Sequence, residues 1–342
     1  MRFVRHRLCK MSFCYAASHI DCDGRTNILF APDTPGPCYS FDSETFRQET
    51  VWEEPGGTMA MVPLPFGNGN FLAVQRFYPS FQAHEAEIVY VHRQHQEWKV
   101  DPFLKLPYVH RFDILQSSGV YYLLCSTLCT TKKNRDDWSS PGGLYAVELT
   151  EEITRPIILT QIAGGMTRNH GYRRVKNGDD IWALTSCDEG VFEVLPPAKR
   201  GGNWTVNNIL DRPVSDIAVC DIDGDGVDEM ATIEPFHGNT FTVYRKKASG
   251  YLPLYRYPGN SVFCHTVWGG HLRNETVFIG GYRAGNRELF LLRWKDGEIV
   301  ADTLETHSGP SNVDVIHGEK RDLLVVANRE VGEGVVFSVT DD

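Results

Sequence analysis

The chain has 342 residues, of which 42% are hydrophobic and 23% charged, with a net charge of -10 at pH 7. That length accommodates one large all-β domain or two ordinary ones, and the balance is that of an ordinary globular chain. The negative charge argues against nucleic acid as a partner, because its phosphates would be repelled. No window approaches the roughly eighteen apolar residues of a membrane span, so no membrane partner is expected. The basic opening "MRFVRHRLCKMSFCYAAS" lacks the sustained apolar centre of an export signal. Nine cysteines are scattered without a CxxC pair, mostly in apolar runs. They read as buried thiols in a reducing compartment, and a cytoplasmic location is expected.

In chain order, "RFVRHRL" reads as a first strand. After it comes a recurring pattern of strand, tight polar turn, strand, loop, strand. The pattern begins near Cys14 in "FCYAASHIDCDGRTNILFAP" and near Met59 in "MAMVPLPFGNGNFLAVQRFYP". It returns near Tyr108 in "YVHRFDILQSSGVYYLLCST" and near His170 in "HGYRRVKNGDDIWALTSCDEG". Further copies begin near Ser215 in "SDIAVCDIDGDGVDEMATIEPFHG", near Val262 in "VFCHTVWGGHLRNETVFIGGYRAG" and near Asn312 in "NVDVIHGEKRDLLVVANREVG". The spacing of roughly 45 to 60 residues is that of propeller blades. One such unit cannot cover both faces of its own small sheet, so neighbours must stack.

The expectation is therefore one all-β domain over 1–342, a seven-bladed β-propeller. Its blades fall near 11–55, 58–106, 108–160, 168–212, 214–258, 261–305 and 311–340. The last unit supplies only three strands, so the N-terminal strand near 2–8 is expected to pair into it, closing the ring and hiding two sheet edges. The longest interruption, "CTTKKNRDDWSSPGG" at 129–143, reads as a surface loop within the third unit.

"CDIDGDGVDEM" at 220–230 puts Asp221, Asp223 and Asp225 at alternate positions, followed by Gly226 and Glu229. Alternate carboxylates before a glycine suit Ca²⁺, which takes six to eight oxygens in irregular geometry. Asp221, Asp223, Asp225 and Glu229 would offer side-chain oxygens, and Val227 a carbonyl. An EF-hand would need Glu at the twelfth position, where Thr232 stands. The stretch resembles the calcium loop of FG-GAP or VCBS-type propeller repeats. That resemblance covers Ser215 to Thr240 and implies one structural Ca²⁺ site clipping a turn. The first unit carries His19 and Asn27 where the fifth carries Asp221 and Glu229.

If the aspartate loop joins the first two strands of its unit, it lies on one rim of the ring. The starts of first strands and the ends of second strands then lie on the other. Those positions carry His110 and Arg111 in "YVHRFD", Arg168, His170 and Tyr172 in "TRNHGYRR", and His265 in "FCHTVW". They also carry Arg76 and Tyr78 in "VQRFYP", His237 in "EPFHG", Tyr282 and Arg283 in "GGYRAG", and Arg329 in "ANRE". His and Tyr suit proton transfer near neutral pH, and Arg suits bidentate binding of a carboxylate. Together they suit β-elimination on a uronate-containing oligosaccharide. The chain here resembles the carbohydrate lyases and sugar dehydratases built on this repeat, rhamnose–glucuronate lyases foremost. The resemblance implies His110 or His170 as base, Tyr172 as acid, and Arg76, Arg168 and Arg283 as carboxylate binders. His237, His265, Tyr282 and Arg329 would add contacts to the sugar. A non-catalytic carbohydrate- or protein-binding module, a sugar dehydratase or isomerase, and a zinc site on His110, His170 and His265 are the rival readings.

Overall fold

The computed structural model describes residues 1–151, 153, 157–259 and 261–341. Residues 152 and 154–156, inside the third expected unit, lie outside that set. Every regular element among the described residues is a β-strand, and all strand pairs are antiparallel. No described helix is long and apolar enough to cross a membrane.

Strand β1 (Arg2–Lys10) opens the chain. Strands β2 (Cys14–Cys22), β3 (Arg25–Pro32), β4 (Cys38–Asp42) and β5 (Gln48–Trp52) form a four-stranded sheet in that order. So do β6 (Met61–Pro63), β7 (Phe71–Gln75), β8 (Glu87–Gln94) and β9 (Glu97–Lys105). An eight-stranded sheet follows. One run in it is β10 (Val109–Ser117), β11 (Val120–Cys129), β12 (Pro141–Leu149) and β13 (Thr160–Met166). The other is β14 (Gly171–Asn177), β15 (Asp180–Cys187), β16 (Gly190–Leu195) and β17 (Thr205–Leu210). Two more four-stranded sheets are β18 (Asp216–Cys220), β19 (Glu229–Glu234), β20 (Thr240–Lys247), β21 (Gly250–Arg256), and β22 (Val262–Leu272), β23 (Glu275–Ala284), β24 (Leu289–Lys295), β25 (Glu298–Glu305). The final sheet has the order β26 (Pro310–Ile316), β27 (Asp322–Asn328), β28 (Glu333–Thr340), β1.

The third and fourth expected units are thus continuous. Gln116 at the far end of β10 pairs with Ile181 of β15, and the Ser118 N–H reaches the Asp180 carboxylate at 3.4 Å. The two hairpin ends approach closely enough there to share a ladder.

Burial explains the order within each run. Second strands such as β7, β19 and β27 are buried on both faces, because a neighbouring sheet covers each side. Outer strands such as β21 and β25 are far more exposed. First strands contact one another in cyclic order, β2, β6, β10, β14, β18, β22, β26, and β26 returns to β2. They enclose a channel of about 380 Å³. The ring is completed where β1 pairs with β28, from Arg2↔Thr340 to Lys10↔Glu333. All nine cysteines are buried free thiols.

Candidate active site

A local device recurs at one mouth of this ring. Tyr15, His110, His265 and Ser311 each sit unpaired in a β-bulge near the start of β2, β10, β22 and β26. A bulge bends its strand and re-aims one side chain. Two residues before Tyr15, His110, His170 and His265, the backbone is left-handed: φ is 53° at Phe13, 61° at Tyr108, 54° at Arg168 and 62° at Phe263. None of these is glycine, and such strain is typically kept where it positions function. His237, in the loop after β19, is also left-handed, at 48°.

The result is a cavity of about 110 Å³ lined by Tyr15, His110, His170, His237, His265, Arg283 and Arg329 among others. Ring centroids of His110 and His170 are 4.4 Å apart, those of His170 and His237 4.8 Å, and those of His237 and His265 5.1 Å. The backbone of the next sheet orients the rings. His170 Nδ1 lies 3.1 Å from the Ser215 carbonyl, and His265 Nδ1 lies 2.9 Å from that of Ser311. A carbonyl only accepts, so both Nδ1 atoms carry hydrogen and both Nε2 atoms keep a lone pair. His237 Nε2 stands 3.3 Å from His170 Nε2, and the Tyr15 hydroxyl 3.4 Å from His265 Nε2. His110 Nδ1 is buried without a hydrogen-bond partner among the described residues.

Burial pushes all four imidazoles well below their ordinary value, reinforced by the neighbouring histidines and by Arg111, Arg168 and Arg283. His170 is pushed down to about 3. The four rings are therefore neutral at pH 7. Burial likewise raises the Tyr15 phenol, which stays protonated.

The arginines at the mouth are tied down. Arg283 bonds Glu330 through Nε and Nη2 at 2.8 and 2.7 Å, and its guanidinium lies 4.5 Å from the Phe263 ring. Arg329 pairs with Asp33 at 2.6 Å and Glu330 at 3.0 Å. The segment between β11 and β12 folds over one side. Trp138 packs on Phe81 and Phe236, Arg135 lines the cavity, and the Lys132 ammonium sits 3.2 Å from the Trp138 ring centroid. This segment reads as mere surface loop in the sequence.

Other residues expected here do not line the cavity. Arg76 is half-exposed and paired with Glu87 at 2.8 Å. Arg168 pairs with Asp188 at 3.2 Å, its guanidinium 5.3 Å from the Trp138 ring. Tyr282 is fully buried, its hydroxyl donating to the Asn239 carbonyl at 3.1 Å. Tyr172 lines the channel cavity instead, with its hydroxyl unpartnered among the described residues. Tyr15, passed over in the sequence, stands in the pocket.

In the channel below, Arg111, Arg173 and Arg174 face Asp113, Asp216 and Asp314. Burial raises the Asp216 carboxyl to about 6, with Arg111 3.9 Å away acting in opposition. Because the folded value lies above the unfolded one, the proton stabilises the fold below about pH 3.8, and that contribution is lost as pH rises through about 6. Asp216→Asn keeps an oxygen for the Tyr172 and Ile217 amides. It is expected to raise stability at pH 7 by up to about 3 kcal/mol and by almost nothing at pH 4. Urea melts at the two pH values check this; an equal gain at both would contradict it.

The aspartate loop joins β18 to β19 on the opposite rim. Asp221 Oδ2 accepts from the Gly226 amide at 2.9 Å, Asp223 Oδ1 from Asp225 at 3.1 Å, and Asp225 Oδ1 from Val227 at 2.9 Å. Gly224 and Gly226 take the left-handed turns at 75° and 86°. Oxygens of the three aspartates lie within 4.8 Å of one another, and Asp221 Oδ1 is buried without a partner among the described residues. Glu229 instead turns to Arg245, which bonds it at 3.1 Å and also pairs with Asp223.

No protein-family model and no curated protein sequence matches this chain. Solved structures do. The crystal structure of Saccharomyces cerevisiae Sqt1 superposes with a TM-score of 0.58 at 9% identity, over 94% of this chain and 83% of Sqt1. A protein provisionally assigned as a gluconolactonase superposes with a TM-score of 0.52 at 11% identity, over 98% of this chain and 92% of its own. Identities this low speak to fold alone, and the fold is the β-propeller.

Proposed function

We propose that this propeller is seven-bladed, its eight-stranded sheet counting as two blades, and that it is a lyase performing β-elimination on a uronate-containing oligosaccharide. One observation carries the reading. Four neutral histidines, a buried tyrosine and two arginines from different sheets converge on one cavity. Neutral His110 takes the C5 proton, a role that its unpartnered Nδ1 supports. The electron pair left at C5 forms the C4–C5 double bond as the C4–O bond breaks. The Tyr15 hydroxyl gives its proton to the leaving oxygen. The remaining N–H groups of Arg283 and Arg329 hold the carboxylate and the charge that develops on it. A cavity of about 110 Å³ takes the carboxylate end rather than a whole sugar chain. The chain would lie across the mouth, against Phe81 and Phe263.

Incubation with a panel of uronate oligosaccharides, followed by ultraviolet absorbance of the conjugated unsaturated product, tests this. Rising absorbance with at least one substrate is expected. No rise, together with ligand-induced thermal stabilisation, would move the reading to a binding module. The ion pairing of Arg283 and Arg329 favours that second reading, since saturated cations suit a fixed recognition surface.

We further propose one structural Ca²⁺ on Asp221, Asp223 and Asp225, with the Val227 carbonyl beside them. The unpartnered Asp221 oxygen fits such an ion. Glu229 faces Arg245, as Asp223 also does, so either carboxylate would have to turn from that arginine to complete the ion's shell. Millimolar calcium is expected to raise the melting temperature by about 3 °C or more. Asp221→Ala should remove the rise; a wild-type melt indifferent to calcium and to chelator would contradict the site.

A further inference from the structure

The ring nitrogens of His170, His237 and His265 lie within 4.8 Å of one another. We infer that this triad is a transition-metal site that takes Zn²⁺, with its fourth position open to the cavity. The inference is independent of the reaction the pocket performs.

Four features of the pocket carry it. The first is orientation. His170 and His265 each donate Nδ1–H to a backbone carbonyl, of Ser215 and Ser311, at 3.1 and 2.9 Å. That is the outer-shell arrangement which fixes the tautomer and aims an Nε2 lone pair at a metal. The second is spacing. Two nitrogens bound to a tetrahedral zinc at about 2.0–2.1 Å stand about 3.3 Å apart, and His237 Nε2 to His170 Nε2 is 3.3 Å. The third is the support of His237. Its amide donates to the Ser215 Oγ at 3.1 Å, so the residue whose carbonyl orients His170 also anchors His237 in its left-handed conformation. The fourth is chemistry. An all-imidazole set selects zinc and its neighbours over calcium and magnesium, which want oxygen.

Without metal, the short His170–His237 approach is a hydrogen bond from His237 Nε2–H to His170 Nε2. Metal binding requires the His237 proton to sit on Nδ1, so that all three Nε2 atoms carry lone pairs. The Tyr15 hydroxyl, 3.4 Å from His265 Nε2, gives way toward the open fourth position. His110 stands outside the triad, its ring against that of His170.

The test uses the full chain, stripped with a chelator and titrated with Zn²⁺ and, separately, with Co²⁺ in excess Ca²⁺. One metal per chain is expected. Cobalt should give the visible bands of four-coordinate nitrogen ligation, without the near-ultraviolet charge-transfer band of thiolate. His170→Gln and His237→Gln should each weaken zinc binding by about 100-fold or more, exceeding the loss from removing an outer-shell partner. Asp221→Ala should leave it unchanged. No uptake and no cobalt bands in the wild-type chain would overturn the site, even if the variants fail to fold. So would a thiolate band, or full affinity retained in both folded histidine variants.

Discussion

His110→Gln is expected to lower the elimination rate by about 10² to 10⁴-fold, the usual contribution of a positioned general base. The residue is buried at the bulge of β10, neutral, and its Nδ1 has no hydrogen-bond partner among the described residues. A buried polar atom left unpaired costs stability in the free protein, and a substrate atom that pairs with it recovers that cost on binding. Glutamine approximates the volume but cannot accept and carry the proton. The melting temperature should therefore stay within a few degrees of wild type, and the calcium dependence should be intact. Rates from product absorbance beside thermal melts separate these outcomes. A variant retaining near-wild-type activity would remove His110 from the chemistry.

Deleting residues 2–10 is expected to destabilise the fold by about 5 kcal/mol or more, a large share of a typical domain's total. Strand β1 pairs with β28 along its length. Strand β28 is buried on both faces through Val335, Val336 and Val339, and without β1 its far edge would present unpaired backbone groups to water. The deletion also removes Cys9 from the core against Phe30 and Val336, and Phe3 from the neighbouring cluster. Each net hydrogen bond contributes roughly 1 kcal/mol, and the apolar loss adds to it. Side-chain ion pairs are minor by comparison. Arg5→Ala and Arg7→Ala, which release Glu305 and Glu333, should cost under about 1 kcal/mol each. Truncated and full chains melting within a degree or two of each other would contradict this account of closure.

The β-strand character was legible from short apolar or alternating runs and turn chemistry, because the second strand of a unit such as β7, β19 or β27 is apolar on both faces and is bounded by polar turns. The join of β10 to β15 was not, since a single pair at Gln116 leaves no pattern in the sequence. The four histidines were found from topological position alone. Tyr172 was misplaced by strand geometry: it shares a face with His170 but lies two residues, about 6.6 Å, further along, which carries it from the mouth into the channel. Tyr15 had a signal that went unread. "FCYAAS" at 13–18 matches "FCHTVW" at 263–268, with Tyr15 in the place of His265, and Phe13 and Phe263 share the left-handed backbone. The turn of Glu229 toward Arg245 depends on a side chain sixteen positions later on a neighbouring strand, and no local pattern reports it.

The most direct test is a crystal structure of His110→Gln soaked with a uronate oligosaccharide that the wild-type chain cleaves or binds. The account predicts the sugar across the histidine pocket, with its carboxylate on Arg283 or Arg329 and its leaving oxygen at the Tyr15 hydroxyl. A sugar seated in the channel beside Arg111 and Arg174, or on the outer strands, would contradict it.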